Sequence, residues 1–234
     1  MLPLNMALHK KILLFIFIVG YSASAIAQEG SRQSWLFWTH TQKLSPKYSI
    51  LADAQTRSDF PFQKFNTLLL RTALAFNMND AHSLALGYAY KRDWMERQTD
   101  QYEHRIYQQY RYEFKVKQME FEFRVRLEER FLNDNTTLFA MRSRGFIAAQ
   151  FPIYTNNQFK SGLFAGIQNE IFFNILNKEN VNNHFFDQNR PYISLGYRFS
   201  KKVETSIDYG LMADQGEQNF QYANVFRLSL TTEF

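Results

Sequence analysis

Cysteine is absent from the 234 residues. Its absence excludes disulfide scaffolds, thiolate zinc sites, iron–sulfur clusters and cysteine nucleophiles, and says nothing about compartment. Beyond the N-terminal segment no stretch is long and apolar enough for a transmembrane helix, which needs about twenty such residues. Recurrent catalytic signatures are missing as well: there is no HExxH, GxSxG or glycine-rich phosphate loop. Aromatic residues, by contrast, are plentiful. The chain carries 24 Phe and 13 Tyr, a 17% aromatic share, beside 21% charged residues and a net charge of +5. A soluble core draws mainly on Leu, Val and Ala, so this excess of rings calls for a particular arrangement.

The first 27 residues read as an address. Lys10 and Lys11 precede the apolar run 12–19, and Ala25-Ile26-Ala27 places small residues where a signal peptidase reads them. A membrane anchor would need a longer run and a different flank. Cleavage after Ala27 leaves 207 of the 234 residues and, by removing Lys10 and Lys11, lowers the net charge from +5 to +3. So weak a basic balance is no nucleic-acid footprint. The expected domain organisation is therefore a signal peptide, 1–27, and one β-barrel domain, 28–234.

After Gln28 the apolar residues alternate with a period of two, the spacing of strands. In 119–131, Met119, Phe121, Phe123, Val125, Leu127 and Phe131 take one face, and Glu120, Glu122, Arg124, Arg126, Glu128 and Arg130 the other. The same pattern marks 102–116, and further strands are expected near 33–41, 48–57, 67–76, 82–94, 138–151, 159–173, 189–200, 203–212 and 221–234. Short turns (44–47, 77–81, 117–118, 155–158, 200–202) alternate with longer polar segments (58–64, 93–101, 132–137, 174–188, 213–219). These are the marks of an all-β, up-and-down antiparallel barrel. Eleven candidates conflict with the even strand number of bacterial single-chain barrels. Ten strands are expected if 33–41 is not a full strand, and twelve if one more is hidden.

A secreted lipocalin-like barrel also alternates, but it turns its apolar face inward and its charges to water. Three features favour a transmembrane barrel in the outer membrane of a Gram-negative envelope. The C-terminal run Phe226, Leu228, Leu230, Thr232, Phe234 alternates and ends in Phe, similar to the signal read by the barrel-assembly machinery. Aromatic residues gather near strand ends (Phe65, Phe76, Trp94, Tyr102, Phe131, Tyr154, Phe173), as an interfacial girdle requires. Ten or more strands exceed the eight of a lipocalin. The expected arrangement is aromatics and aliphatics toward lipid, with paired arginines and glutamates inward.

The chain also resembles a bacterial family of predicted outer-membrane β-barrels catalogued as domain of unknown function 2490. The residues carrying the resemblance are Glu103-His104-Arg105 with Gln108-Gln109, the block Arg124-x-Arg126-x-Glu128-x-Arg130-Phe131, and Arg142-x-Arg144. Weaker support comes from Trp35, Trp38, Asn169-Glu170 and the strand from Arg190 to Arg198. The resemblance implies a signal-bearing outer-membrane barrel and no particular activity.

If the polar face lines the lumen, the inward cations are Arg57, Arg71, Lys91, Arg105, Arg111, Lys115, Arg124, Arg126, Arg130, Arg142, Arg144, Arg190, Arg198 and Arg227. The inward acids are Asp53, Asp93, Glu103, Glu113, Glu120, Glu122, Glu128, Glu170, Glu204, Asp208 and Glu233. Fourteen against eleven is close to balance, whereas a strongly anion-selective pore shows an uncompensated basic ring. The balance predicts cross-strand pairs, each worth about 0.2–1 kcal/mol, closing a structural barrel or a narrow pore. An alternative is a channel or binding site for a small anionic solute at Arg124, Arg126, Arg142 and Arg144. A third, an outer-membrane lipid-modifying enzyme, rests on architecture alone. His40, His82, His104 and His184 are scattered, and His104, on the face opposite Glu103 and Arg105, reads as a rim histidine bonded to a neighbouring strand. No catalytic residue, metal ligand or cofactor is assigned. The expected partners are outer-membrane lipid, the assembly machinery and a small solute.

Overall fold

The computed structural model describes residues 30–95, 99–134, 136–156 and 159–234. The signal segment expected at 1–27 lies outside them. Eleven strands follow in order: β1 (Ser31–Lys43), β2 (Tyr48–Asp59), β3 (Phe65–Asn77), β4 (His82–Asp93), β5 (Gln101–Val116), β6 (Met119–Asp134), β7 (Thr136–Thr155), β8 (Gly162–Leu176), β9 (Phe186–Ser200), β10 (Val203–Gln215) and β11 (Phe220–Glu233). Each pairs antiparallel with the next, and β1 meets β11 to close the barrel. Among the described residues there is no α-helix; a 3-10 turn spans Lys178–Asn180.

The expectation of an even strand number is overturned. Residues 33–41 belong to a full strand, β1, in register with β2 from Gln33↔Asp59 to Lys43↔Ser49. With ten antiparallel steps around the wall, β1 and β11 run the same way and the seam between them is parallel. The backbone shows it: Phe234 N–H donates to the Thr41 carbonyl (2.9 Å), and Lys43 N–H donates to the carbonyl of Phe234 (2.6 Å). Parallel pairing is slightly weaker per residue, and side chains stitch this seam. Trp38 Nε1 donates to Thr232 Oγ1 at 3.2 Å, and Thr39 Oγ1 lies 3.0 Å from Thr231 Oγ1.

Two segment boundaries also differ. The polar stretch 132–137 is no long loop, because Asn133↔Thr137 and Asp134↔Thr136 keep β6 and β7 paired to their ends. At the other end of the barrel β8 starts at Gly162, so Phe159 belongs to the preceding turn. It adopts φ +51° and tucks its ring inward, 2% exposed.

Period-two patterning sets the two faces of the wall. On β3, Leu69, Ala73 and Ala75 are buried inside while Leu70, Leu74 and Phe76 are exposed outside. Ile167, Ile193, Leu195 and Ile207 extend this exposed aliphatic band around the wall. Rings in mutual contact flank it at both rims. Near the turns are Tyr48–Phe76 and Tyr112–Phe114–Phe121; near the loops are Phe131–Phe139, Phe173–Phe185 and Phe186–Phe220–Tyr222.

Inside, three aromatic rings cover a glycine directly opposite on a neighbouring strand: Tyr107 on Gly87, Phe164 on Gly196 and Tyr192 on Gly210. A Cβ on Gly210 would sit 2.3 Å from Cδ1 of Tyr192 and 2.7 Å from the Pro191 carbonyl oxygen. Gly210→Ala is therefore expected to cost about 1–3 kcal/mol by overpacking, read as a fall in the urea midpoint of the folded barrel. An unchanged midpoint would contradict this packing.

Candidate functional site

The lumen encloses about 1910 Å³ and is lined from the β1–β2 turn (Ser45, Pro46) to the β10–β11 connection (Gly216, Glu217). Every residue expected in the charge cluster lies on this inner face or buried in the wall behind it. Glu103, Arg105, Arg126, Glu128, Arg130, Arg142, Arg144 and Arg198 are buried, and Arg111, Arg124 and Glu170 are partly so.

Their pairing differs from simple cross-strand matching. In register, Arg105 stands opposite Arg130, Arg111 opposite Arg124, Arg126 opposite Arg144, and Glu113 opposite Glu122. Like charges directly opposed destabilise a sheet, and here carboxylates reach along and across strands to separate them. Glu103 holds Arg105 (2.7 Å) on its own strand and Arg130 (2.5 Å) across the ladder. Glu128, 1% exposed, holds Arg142 through Oε2 (2.7 Å) and Arg144 through Oε1 (2.5 Å), with Arg105 and Arg126 each 3.8 Å away. Glu170 takes Arg144 (2.6 Å) and Arg124 (3.4 Å). Guanidinium suits this task because its planar fork serves two carboxylates at once. Nearer the turns, Arg198 bridges Glu120 (2.7 Å) and Glu204 (2.9 Å), while Arg111 meets Glu113 at 3.1 Å.

Patterning did not reveal Asp187 on β9 and Asp214 on β10, which line the lumen together with Asp80 and Glu217 from connections at its two mouths. Asp187 binds Arg142 at 2.8 Å and accepts from Asn182 at 3.2 Å. Asn182 belongs to the β8–β9 connection, also donates to the Gln215 carbonyl (2.8 Å), and brings that loop into the loop-side mouth. Within the four-arginine anion site expected at Arg124, Arg126, Arg142 and Arg144, Arg142 and Arg144 each hold two carboxylates at 2.8 Å or less. Arg124 and Arg126 have only looser acidic neighbours.

The expectation that rings face outward needs correction too. Trp35, Tyr107, Phe146, Phe159, Phe172 and Tyr192 all point inward, mostly as platforms for guanidinium groups. Arg126 lies 4.2 Å from the Tyr107 ring centre, Arg124 4.2 Å from that of Phe146, and Arg198 3.8 Å from that of Phe159. Ring faces attract cations by about 0.5–2 kcal/mol, so a lumen crowded with arginine has a use for aromatics on its inner face. Strict alternation, read together with the arginines beside them, carried this signal.

The histidines sit apart from the cluster. His104 Nδ1 meets the Tyr88 hydroxyl on β4, as expected of a rim residue. His40 contacts Thr232 (2.9 Å), His82 contacts Tyr110 (2.7 Å), and His184 lies 3.0 Å from the Glu217 carbonyl. Among the described residues no group of three His, Asp or Glu side chains could hold a metal. On β11, Leu228 and Leu230 are exposed on the outer face and Phe226 shares their side, and Phe234, one residue past the strand, is exposed as well, so the run alternates as an assembly signal is expected to. In the β4–β5 loop, a hydrogen bond from Arg92 (2.6 Å) holds the Asp100 carboxyl below its ordinary pKa.

Fold and site together define a closed, up-and-down β-barrel of eleven strands with a charge-paired, arginine-rich lumen. Residues 32–221 match a family model described as protein of unknown function, DUF2490, and the chain belongs to that family. No curated protein and no solved structure matched the chain.

Proposed function

We propose that the chain is an outer-membrane β-barrel, exported by a signal peptide cleaved after Ala27, whose lumen forms a narrow passage for small polar solutes. The observation carrying this reading is the reversal of faces: an exposed aliphatic band bounded by rings at both rims, around an interior of buried charge. In water that arrangement would expose contiguous apolar surface at large cost. In lipid it matches the apolar belt and aromatic girdles of transmembrane barrels. The outward residues of β11 would serve recognition by the assembly machinery. The reading assigns no catalytic residue.

Fractionation and planar-bilayer recording test it. The protein is expected in the outer-membrane fraction, with heat-modifiable migration on gels and small, discrete conductance steps. Recovery as a soluble periplasmic protein would overturn the membrane assignment. A membrane barrel that passes no current would leave a structural role in place of the passage.

A further inference from the structure

Pairing in the lumen is uneven. Arg57 on β2 and Arg190 on β9 have no carboxylate within 4 Å among the described residues, whereas every other arginine lining the lumen has at least one. Both guanidinium groups approach the same indole: Arg57 lies 4.0 Å and Arg190 5.5 Å from the Trp35 ring centre. Those distances bound the separation of the two cationic carbons at about 9.5 Å. Elsewhere in the lumen the residue two positions before an arginine can be its acid, as Glu103 is for Arg105. Here that position is a neutral glutamine. Gln55 Oε1 accepts from Arg57 at 3.3 Å, and Gln188 Oε1 accepts from Arg190.

The neighbouring acids are occupied. Glu170 stands directly opposite Arg190 in register, yet its carboxylate is taken by Arg144 and Arg124. Asp93 is engaged by Lys91 and by Thr67 (2.7 Å), Asp187 by Arg142, and Asp214 by the Gln188 amide (2.7 Å). The Tyr192 hydroxyl is buried with no hydrogen-bond partner; its ring meets Trp35 at 6.4 Å and carries Arg227, already paired with Asp208, 4.2 Å from its centre. The Nε atoms of Arg57 and Arg190 are also buried and unpartnered. Ring faces orient a guanidinium plane without neutralising it. Two like charges that share one indole and have no carboxylate partner leave room for an anion.

We propose that Arg57, Arg190 and Tyr192, arranged around Trp35, form a binding station for an oxyanion, the phosphate or carboxylate group of a small solute. Trp35 and Arg190 are the fifth residues of β1 and β9, and Arg57 lies two residues before the end of β2, so the station sits in the loop-side half of the lumen. Two guanidinium forks suit the several acceptor oxygens of such a group, and the phenol adds one more donor. The station rests on that part of the passage reading by which a small solute enters the lumen, whether or not it crosses.

The test is calorimetric titration of the full chain, folded in detergent, with inorganic phosphate and separately with acetate. Heat-modifiable migration verifies that each variant is folded. The wild-type protein is expected to bind at least one of the two probes saturably, and Arg57→Gln with Arg190→Gln to weaken that binding at least about tenfold. Gln55→Glu supplies a carboxylate beside Arg57 without removing either arginine. It is expected to weaken the same binding and to raise the thermal midpoint. Tyr192→Phe, which removes only the hydroxyl, provides a reading should the double variant not fold, and is expected to weaken binding severalfold. Phosphate without acetate would assign a phosphate-bearing solute, and acetate a carboxylate. No binding of either probe by the wild type, or binding unchanged in these variants, overturns the station. Because no current is measured, binding by a non-conducting barrel would keep the station and remove the passage; conductance without binding would do the reverse.

Discussion

Glu128→Gln is expected to cost about 3–5 kcal/mol of stability, the loss typical when one partner of a buried ion pair is removed and the others are left uncompensated. The substitution keeps the shape of the side chain and removes its charge. Glu128 is 1% exposed and lies within 4 Å of four arginines on three strands, Arg105, Arg126, Arg142 and Arg144. Without it, Arg126 and Arg144 face each other directly in register, and only Glu170 remains on Arg144. Urea unfolding in lipid vesicles, followed by tryptophan fluorescence, measures the loss. The rim pair Arg111–Glu113 serves as the control. Its acid is 47% exposed, and Arg111→Gln is expected to cost no more than about 1 kcal/mol. A loss below about 1 kcal/mol for Glu128→Gln would mean that lumen water screens the cluster, and that this wall is no dry plug.

Ile193→Arg is expected to cost about 2–4 kcal/mol in lipid, the penalty for a cation on the lipid face at mid-height. Ile193 is 60% exposed, pairs with Ile167 on one side and Tyr209 on the other, and lies midway along β9 between Phe186 and Phe199. Tyr154→Arg, at a position 84% exposed beside the β7–β8 turn, should cost about 0–1 kcal/mol, as near an interface. If the outer face met water, both substitutions would fall within about 0.5 kcal/mol of wild type. The contrast between the two positions thus reads out the solvent of the wall.

Much of the wall was legible in sequence because strand alternation is a local property. The charged face of 119–131 and the apolar face of β3 each follow from side chains pointing alternately to opposite sides of one strand. Pairing between charges was not legible. A shift of one strand past its neighbour by two residues keeps every side chain on its face and changes every partner. Glu170 shows this: patterning placed it inward, but only the register set it opposite Arg190, and only the position of Arg144 drew it away. Asp187 was missed because it lies near a loop, where no alternating run frames it, and inward rings such as Phe172 were missed because an aromatic suits either side of a barrel wall.

The sequence by itself determined the all-β class, the turn positions on one rim and the face on which the Arg-rich cluster lies, because each depends on residues near one another in the chain. The tertiary structure alone decided that eleven strands close through a parallel seam, and that Arg57 and Arg190 are left with glutamine partners around Trp35. Closure brings β1 against β11 and carries β2 and β9 to one side of the lumen, and that geometry depends on how all the strands are staggered together, which no single segment specifies.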